Sequence, residues 1–450
     1  MPMNVYKQQN HSMAKFFLFL IGLGSATKVF FFGTLAFSEI GVFLAAPFVF
    51  LRDWGTLKRD GFSLFIVLLG LLFAAMLVSA AVNHTNFGYV FKTVALFYSV
   101  FAHYVIFHRL LRDNYTGLGY YVTGAAISSV IIIFAFNPHT ALGEGGSVYV
   151  ANAVATDVIH GPLFWAHRLN LFAQIPIVGA YMHLPLYLSA VVPGLYAVIV
   201  LATSISGRSA TATFLMAGML IAIGGKSRRR IFMMGKHVVW LGCAAIIAIF
   251  VLKQAYSYCA ENGILGYEAQ GKYLHQTRKG KSIISMLAAG REEFFIGLTA
   301  AIHRPIIGYG PFAKDTEGFY EDFIRKYGDE TDYGFLTAFL DYEIKYGSVH
   351  EIPSHSHIIG AWVHYGIMGL IFYLTILKFI WDHLRKYAPA IPHWHGYFCI
   401  FICKYLWDFF FSGFYSRPDF ALFIACLMFA KALSKGRLQL PPEMEHQIQG

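Results

Sequence analysis

The stretch EIPSHSHIIGAWVHYGIMG, residues 351–369, sets two histidines, His355 and His357, at the start of a long apolar run. Histidine titrates near neutral pH and can take a proton from a hydroxyl. His355 therefore reads as a candidate general base; the alternative, open to His357 as well, is a helix-start residue satisfied by water. Gly366 and Gly369, in the same run, allow close helix packing that would hold a base rigidly. Residues two apart on a helix point about 200° apart, so His357 is expected to face away from His355 and to tolerate replacement.

Arginines are the second chemical signal. A lipid-linked diphosphate, if that is the substrate, needs a cationic clamp, and an always-charged fork that bonds two phosphate oxygens suits it. Arg208 follows Gly207 in the hinge SISGRS between two apolar runs. It either faces a cavity or snorkels to headgroups. Arg291 opens GREEFFIGLTAAIHRPIIGYGPF, in which Arg304 stands between His303 and Pro305. Each grips phosphate or pairs with a loop carboxylate. The GYGPF turn, Gly308–Phe312, either cradles phosphate on backbone N–H groups or is a simple turn. A carboxylate pair of metal-binding spacing is missing from the ends of the apolar runs, and Asp329–Asp332 fall in mid-loop. No metal and no cofactor are expected. The cysteines form no CxxC and suggest no disulfide framework.

The elements that must position these residues are helices in a membrane. The 450 residues are 57% hydrophobic and 13% charged, against about 25% charged in a soluble domain, and mean hydropathy is +0.53. Apolar runs fall at 15–33, 36–52, 62–82, 87–108, 117–136, 166–183, 185–204, 209–225, 233–252, 356–379, 393–411 and 417–433. A bilayer core needs about 20 apolar residues per helix. The expectation is an all-α polytopic membrane protein with twelve transmembrane helices, the first retained rather than cleaved as a signal peptide. Lys and Arg gather at Arg52/Lys58/Arg59, Arg109/Arg112, Lys226–Lys236, Arg385/Lys386 and Lys431/Lys435/Arg437, which places these connectors and both termini in the cytoplasm. The organisation is then helices 1–9 over residues 1–252, a large, partly helical periplasmic loop over 253–355, helices 10–12 over 356–434, and a tail from 435 to 450. From 253 to 354 the chain carries 11 Lys and Arg against 14 Asp and Glu. The basic excess therefore sits in the membrane-flanking connectors, reporting topology rather than nucleic-acid binding. Lys28 with Glu39, and Lys404 with Asp408, are expected to neutralise one another inside the bundle, or in a transporter to couple transport.

HSHIIGAWVHYGIMG fits the pattern His–[Asn/Ser/Gln]–nine residues–Gly–two residues–[Gly/Thr/Tyr], here His355, Ser356, Gly366 and Gly369. Opening a span after a large outer loop, this resembles the signature of bacterial O-antigen ligases and the related O-antigen polymerases. GREEFFIGLTAAIHRPIIGYGPF is similar to that family's segment of an Arg, an amphipathic helix and Pro–apolar–apolar–Gly–x–Gly. LATSISGRSATATFLMAG resembles its hinge, although the family reads Ser–Arg–Gly where this chain reads Ser206–Gly207–Arg208–Ser209. The resemblance implies a multi-pass enzyme of the bacterial inner membrane, working at the periplasmic face without metal. Its donor would be an undecaprenyl-diphosphate-linked glycan, its acceptor lipid A–core or a glycan. His355 would activate the acceptor hydroxyl. Arg208, Arg291 and Arg304 would bind the diphosphate, with Ser356, Gly366 and Gly369 in support. A single displacement would invert the anomeric centre. Ligase is the first reading and O-antigen or exopolysaccharide polymerase the second; a polysaccharide transporter or flippase is the reading from another class.

Overall fold

The computed structural model describes residues 2–25, 28–30, 34–113, 117–135, short stretches between 251 and 273, and then 292–327, 351–352, 356–391, 394–411 and 417–438. The runs expected at 166–183, 185–204 and 209–225, and nearly all of 233–252, lie outside the described residues, as does the chain beyond 438. The described chain is mostly helical. Its first part holds α1 (Pro2–Ser25), a two-stranded ribbon of β1 (Lys28–Phe30) and β2 (Thr34–Ala36), α2 (Phe37–Arg59), α3 (Ser63–Val82), α4 (Phe87–Asp113) and α5 (Leu118–Ala135). Its second part holds α6 (Glu292–His303), α7 (Phe319–Tyr327), α8 (His357–Tyr365), α9 (Ile367–Asp382), α10 (His395–Phe411) and α11 (Arg417–Ser434). Among the described residues, four helical stretches are long and apolar enough to cross a membrane: Ser38–Arg59, Ser63–Val82, Phe87–Arg112 and Ile367–Tyr387.

Two expected spans fold differently. The run 15–33 does not stay helical: α1 ends at Ser25, and Lys28, Val29 and Phe30 pair antiparallel with Ala36, Leu35 and Thr34. Val29 is β-branched and Phe30 aromatic, residue types that favour a strand over a helix. The run 356–379 is likewise not one span, because Gly366, at φ +64°, separates α8 from α9. Gly369 lies against the Ala361 carbonyl and Tyr373 against His357. One partner's number rises as the other's falls, so α8 and α9 fold back as an antiparallel hairpin. α1 and α5 approach closely where Gly22 meets the Tyr121 carbonyl and Gly124 meets that of Phe19, the small-residue contact common between membrane helices.

One apolar core unites α1–α5 with α8–α11, and a satellite of Ala300, Ala301, Tyr309, Ala313, Ile352, Ile359 and Val363 lies under the α6–α7 segment. Of the two expected charge pairs, only Lys404 with Asp408 falls wholly within the described side chains. Buried Glu39 accepts the Ser99 hydroxyl at 2.6 Å; the Lys28 side chain lies outside what is described. Lys404 Nζ sits 5.6 Å from the Phe401 ring and 5.5 Å from that of Tyr405, rather than on Asp408.

At one end of the bundle the α2–α3 turn buries Asp60, which receives His108 Nε2 at 3.2 Å, Arg59 Nε at 3.3 Å and Arg112 Nε at 3.5 Å. Burial alone would raise the Asp60 pKa; His108 above all, then Arg112 and Arg59, outweigh it and hold the carboxyl below its ordinary value. Stability carried by Asp60 is thus present above the ordinary carboxylate range and lost as pH falls through the depressed pKa. Breaking a fully buried pair costs roughly 3–5 kcal/mol. Arg59 keeps 62% of its side chain exposed and can rehydrate, so Asp60→Asn is expected to cost less, about 1–3 kcal/mol. A thermal melt of the purified variant checks this, and a midpoint equal to that of the native chain would refute it.

Candidate functional site

At the opposite end, the segment after α6 docks onto the tip of the α8–α9 hairpin. A helix leaves its last carbonyls without partners, and here residues far along the chain supply them. Tyr309 N donates to Val363 O at 2.7 Å, and Gly310 N donates to His364 O at 3.1 Å. The Ser79 hydroxyl, on α3, also donates to His364 O at 2.9 Å. In return the Trp362 indole donates to Pro305 O at 3.0 Å, and Ile367 N to Ile306 O at 3.2 Å. Asn83 Nδ2 completes the clamp by donating to Gly308 O at 3.1 Å.

Such backbone-on-backbone contact excludes side chains. A Cβ at Gly308, where φ is +75°, would lie 2.6 Å from Val363 O, and one at Gly366 would run into the Ile306 carbonyl. The GYGPF turn is consequently no phosphate cradle. Gly308, Tyr309 and Gly310 already donate their N–H groups to Arg304, Val363 and His364 carbonyls, and Pro311 has none to offer.

His364 is fixed as a donor, since a carbonyl only accepts: its Nδ1–H bonds Gly310 O at 3.0 Å. Burial pushes its pKa down to about 4, against a smaller opposing pull from that bond. The unfolded chain then binds the extra proton between the ordinary histidine pKa of about 6.5 and about 4. The clamp is therefore expected to hold above pH about 6.5 and to weaken progressively as pH falls below it. Melting midpoints across that window test the sign; a His364→Asn variant that keeps the same slope would refute the assignment.

Arg304 is engaged. Its Nη2 meets Glu317 Oε1 at 2.6 Å, its Nη1 meets Asn83 Oδ1 at 3.0 Å, and its guanidinium carbon lies 4.5 Å from the Tyr309 ring centroid. Of the two readings open to Arg304, this geometry is the carboxylate pair. The Tyr309 hydroxyl donates to Glu317 Oε2 at 3.0 Å, and His303 Nδ1 stands 2.8 Å from the same oxygen. Burial, followed by the Glu317 charge, pushes the Tyr309 pKa up, so this phenol stays a proton donor.

Ser356 caps α8. Its hydroxyl accepts Ile359 N at 3.2 Å and donates to Phe409 O at 2.6 Å, tying the residue after His355 to α10. His357, expected from its spacing to face away from His355, lies within the bundle. It is buried, with its ring 5.8 Å from that of Tyr373 and 5.6 Å from that of Phe409. His355, Arg208 and Arg291 lie outside the described residues.

Asn83, Ser79, Glu317 and His364 escaped the sequence reading. A faint signal for the first was the polar turn Asn83–Asn86 between two apolar runs. Ser79 and His364 are marked only by partners far along the chain, and Glu317 by Arg304 and Tyr309, 13 and 8 positions away. No family model, no curated protein and no solved structure matches the chain.

Proposed function

We propose that the chain is a metal-independent, inverting glycosyltransferase of the bacterial inner membrane. It would move an undecaprenyl-diphosphate-linked glycan onto a sugar hydroxyl of lipid A–core, as O-antigen ligases do; polymerisation of the glycan is the same chemistry with another acceptor. One observation carries this reading. The two segments that resemble the family, 291–312 and 355–369, are brought into direct backbone contact through Tyr309–Val363, Gly310–His364 and Ile306–Ile367. A family signature split between two distant stretches makes chemical sense only if they share one site.

In this reading His355 takes the proton of the acceptor hydroxyl as its oxygen attacks the anomeric carbon. The glycosidic bond to the diphosphate breaks, and its electron pair leaves with undecaprenyl diphosphate. Arg208 and Arg291 neutralise the charge on that leaving group, a stabilisation most effective where water is excluded. The glycosyl diphosphate is already activated, so one base and a cationic clamp suffice. Ser356, bonded to Phe409 O, holds the backbone beside the base. Arg304, held by Glu317 and Asn83, shapes the loop instead of gripping phosphate.

The sidedness proposed here puts residues 253–355 in the periplasm and both termini in the cytoplasm; cytoplasmic labelling of a reporter at Gly271 would sink the site assignment. For the chemistry, the test is transfer from purified lipid-linked glycan to lipid A–core in liposomes. Turnover is expected to continue in excess chelator, because the arginines do the work of a metal. A loss of turnover restored by Mg²⁺ or Mn²⁺ would overturn the arginine clamp. Dependence on Glu39, Lys404 and Asp408 rather than on His355 would point instead to transport.

A further inference from the structure

Tyr89, on the first turns of α4, stacks on Phe312, just past the Gly308–Gly310 clamp: their ring centroids are 5.4 Å apart and the planes 28° from parallel. Two lysines flank the stack. Lys92 Nζ is 5.6 Å from the Tyr89 centroid and 5.9 Å from that of Phe312, and Lys314 Nζ is 5.7 Å from Tyr89. Among the described residues no carboxylate forms an ion pair with either lysine. Glu351 stands opposite Lys314 across a single backbone bridge and makes none. The contrast with the neighbourhood is sharp, since Arg304 and His303 are both bound by Glu317. Phe312 also holds φ at +54°, and His84 in the adjoining α3–α4 turn holds +48°, a left-handed conformation uncommon for any residue but glycine. Backbone held this way gathers at ligand sites.

We propose that Tyr89, Phe312, Lys92 and Lys314 form a subsite for an acidic sugar residue. The half-buried ring pair takes the apolar C–H face of a pyranose, and the two ammonium groups take its carboxylate or phosphate. Lysine suits this role as a mobile point charge that follows an anion around the ring. The choice of a sugar rests on the glycosyltransferase reading and deepens it, since it assigns to the transferred glycan or its acceptor an anionic residue. The same aromatic and cationic pairing can also sit at a lipid interface, and the experiment separates the two.

The test is saturation-transfer NMR on the full chain in nanodiscs of zwitterionic lipid. The probes are methyl β-glucuronide, methyl β-glucoside and inorganic phosphate, none of them a donor. The glucuronide is expected to bind at least about tenfold more tightly than the neutral glucoside, the equivalent of about 1.4 kcal/mol, with contact at its ring C–H face. Lys92→Gln/Lys314→Gln, which keeps most of the side-chain stem, is expected to abolish that preference, and Tyr89→Leu to weaken both sugars. Equal binding of glucuronide and glucoside would overturn the proposal, as would a preference that survives the double substitution. So would phosphate competing fully with no contribution from the ring, or anionic lipid displacing the glucuronide at stoichiometric amounts. A His355→Ala chain is expected to bind the glucuronide normally. Its failure to lose transfer would count against the catalytic reading alone, whereas unaltered binding in the lysine variant would count against the subsite alone.

Discussion

Replacing His355 with Ala is expected to lower glycan transfer by about 10²–10⁴-fold, the usual cost of losing a general base, while lipid-donor binding survives. In the proposed reaction the donor would be held by its diphosphate, which is charged in ground and transition states alike, and not by the base. Arg208→Lys and Arg291→Lys should behave differently, because a compact ammonium cannot reproduce a bidentate fork. Both are expected to weaken donor binding as well as turnover, since the interaction is present before the transition state. His357→Ala is the informative control. His357 is buried between Tyr373 and Phe409, so its removal should cost packing, about 1–3 kcal/mol in a melt, and leave transfer per folded molecule near normal. The measurements are transfer and donor binding for each variant, normalised to folded protein. Near-normal transfer by His355→Ala would overturn the assignment of the base, and a dead but fully folded His357→Ala would move it two residues along.

Gly366→Ala is expected to be the most damaging single methyl group in the described chain. The residue sits at φ +64°, and an added Cβ would run into the carbonyl of Ile306 and crowd Ile307. With ψ at −154° the backbone is in a region that only glycine adopts readily, so alanine there costs about 1–3 kcal/mol, and overpacking adds about 1–3 kcal/mol. Together these take a large part of the roughly 5–15 kcal/mol that holds a domain folded. The obstacle is backbone on both sides, so no side chain can swing away to relieve it. Gly70→Ala provides the comparison: that glycine lies inside α3 with nothing within 4 Å of an added Cβ, and alanine there should be neutral to slightly stabilising. The readout is the melting midpoint of each variant after size-exclusion chromatography. A Gly366→Ala chain that melts with the native one would show that the hairpin tip is not closed against the α6–α7 segment.

The sequence by itself determined the class and most of the described helices. α3, α4, α5 and α11 begin and end within a few residues of the apolar runs 62–82, 87–108, 117–136 and 417–433, except that α4 runs on to Asp113. These properties are local: a run of apolar side chains of bilayer length carries its own instruction, because its backbone must satisfy itself. The spacing of Gly366 and Gly369 was equally legible as a place of close approach, but not what approaches. Only the tertiary structure decided that the run 356–379 folds back at Gly366, where the Ile306 carbonyl, some sixty positions earlier, accepts Ile367 N. Arg304 could be read as a phosphate clamp or as a paired cation, and Glu317 and Asn83 settled its partners from two different segments. Helical angle alone predicts how His357 faces relative to His355, whereas its surroundings come from α9 and α10. Hydropathy acts residue by residue along the chain. Partners for a helix end, a guanidinium or a ring come from wherever the fold brings another segment near, and no single stretch of sequence carries that information.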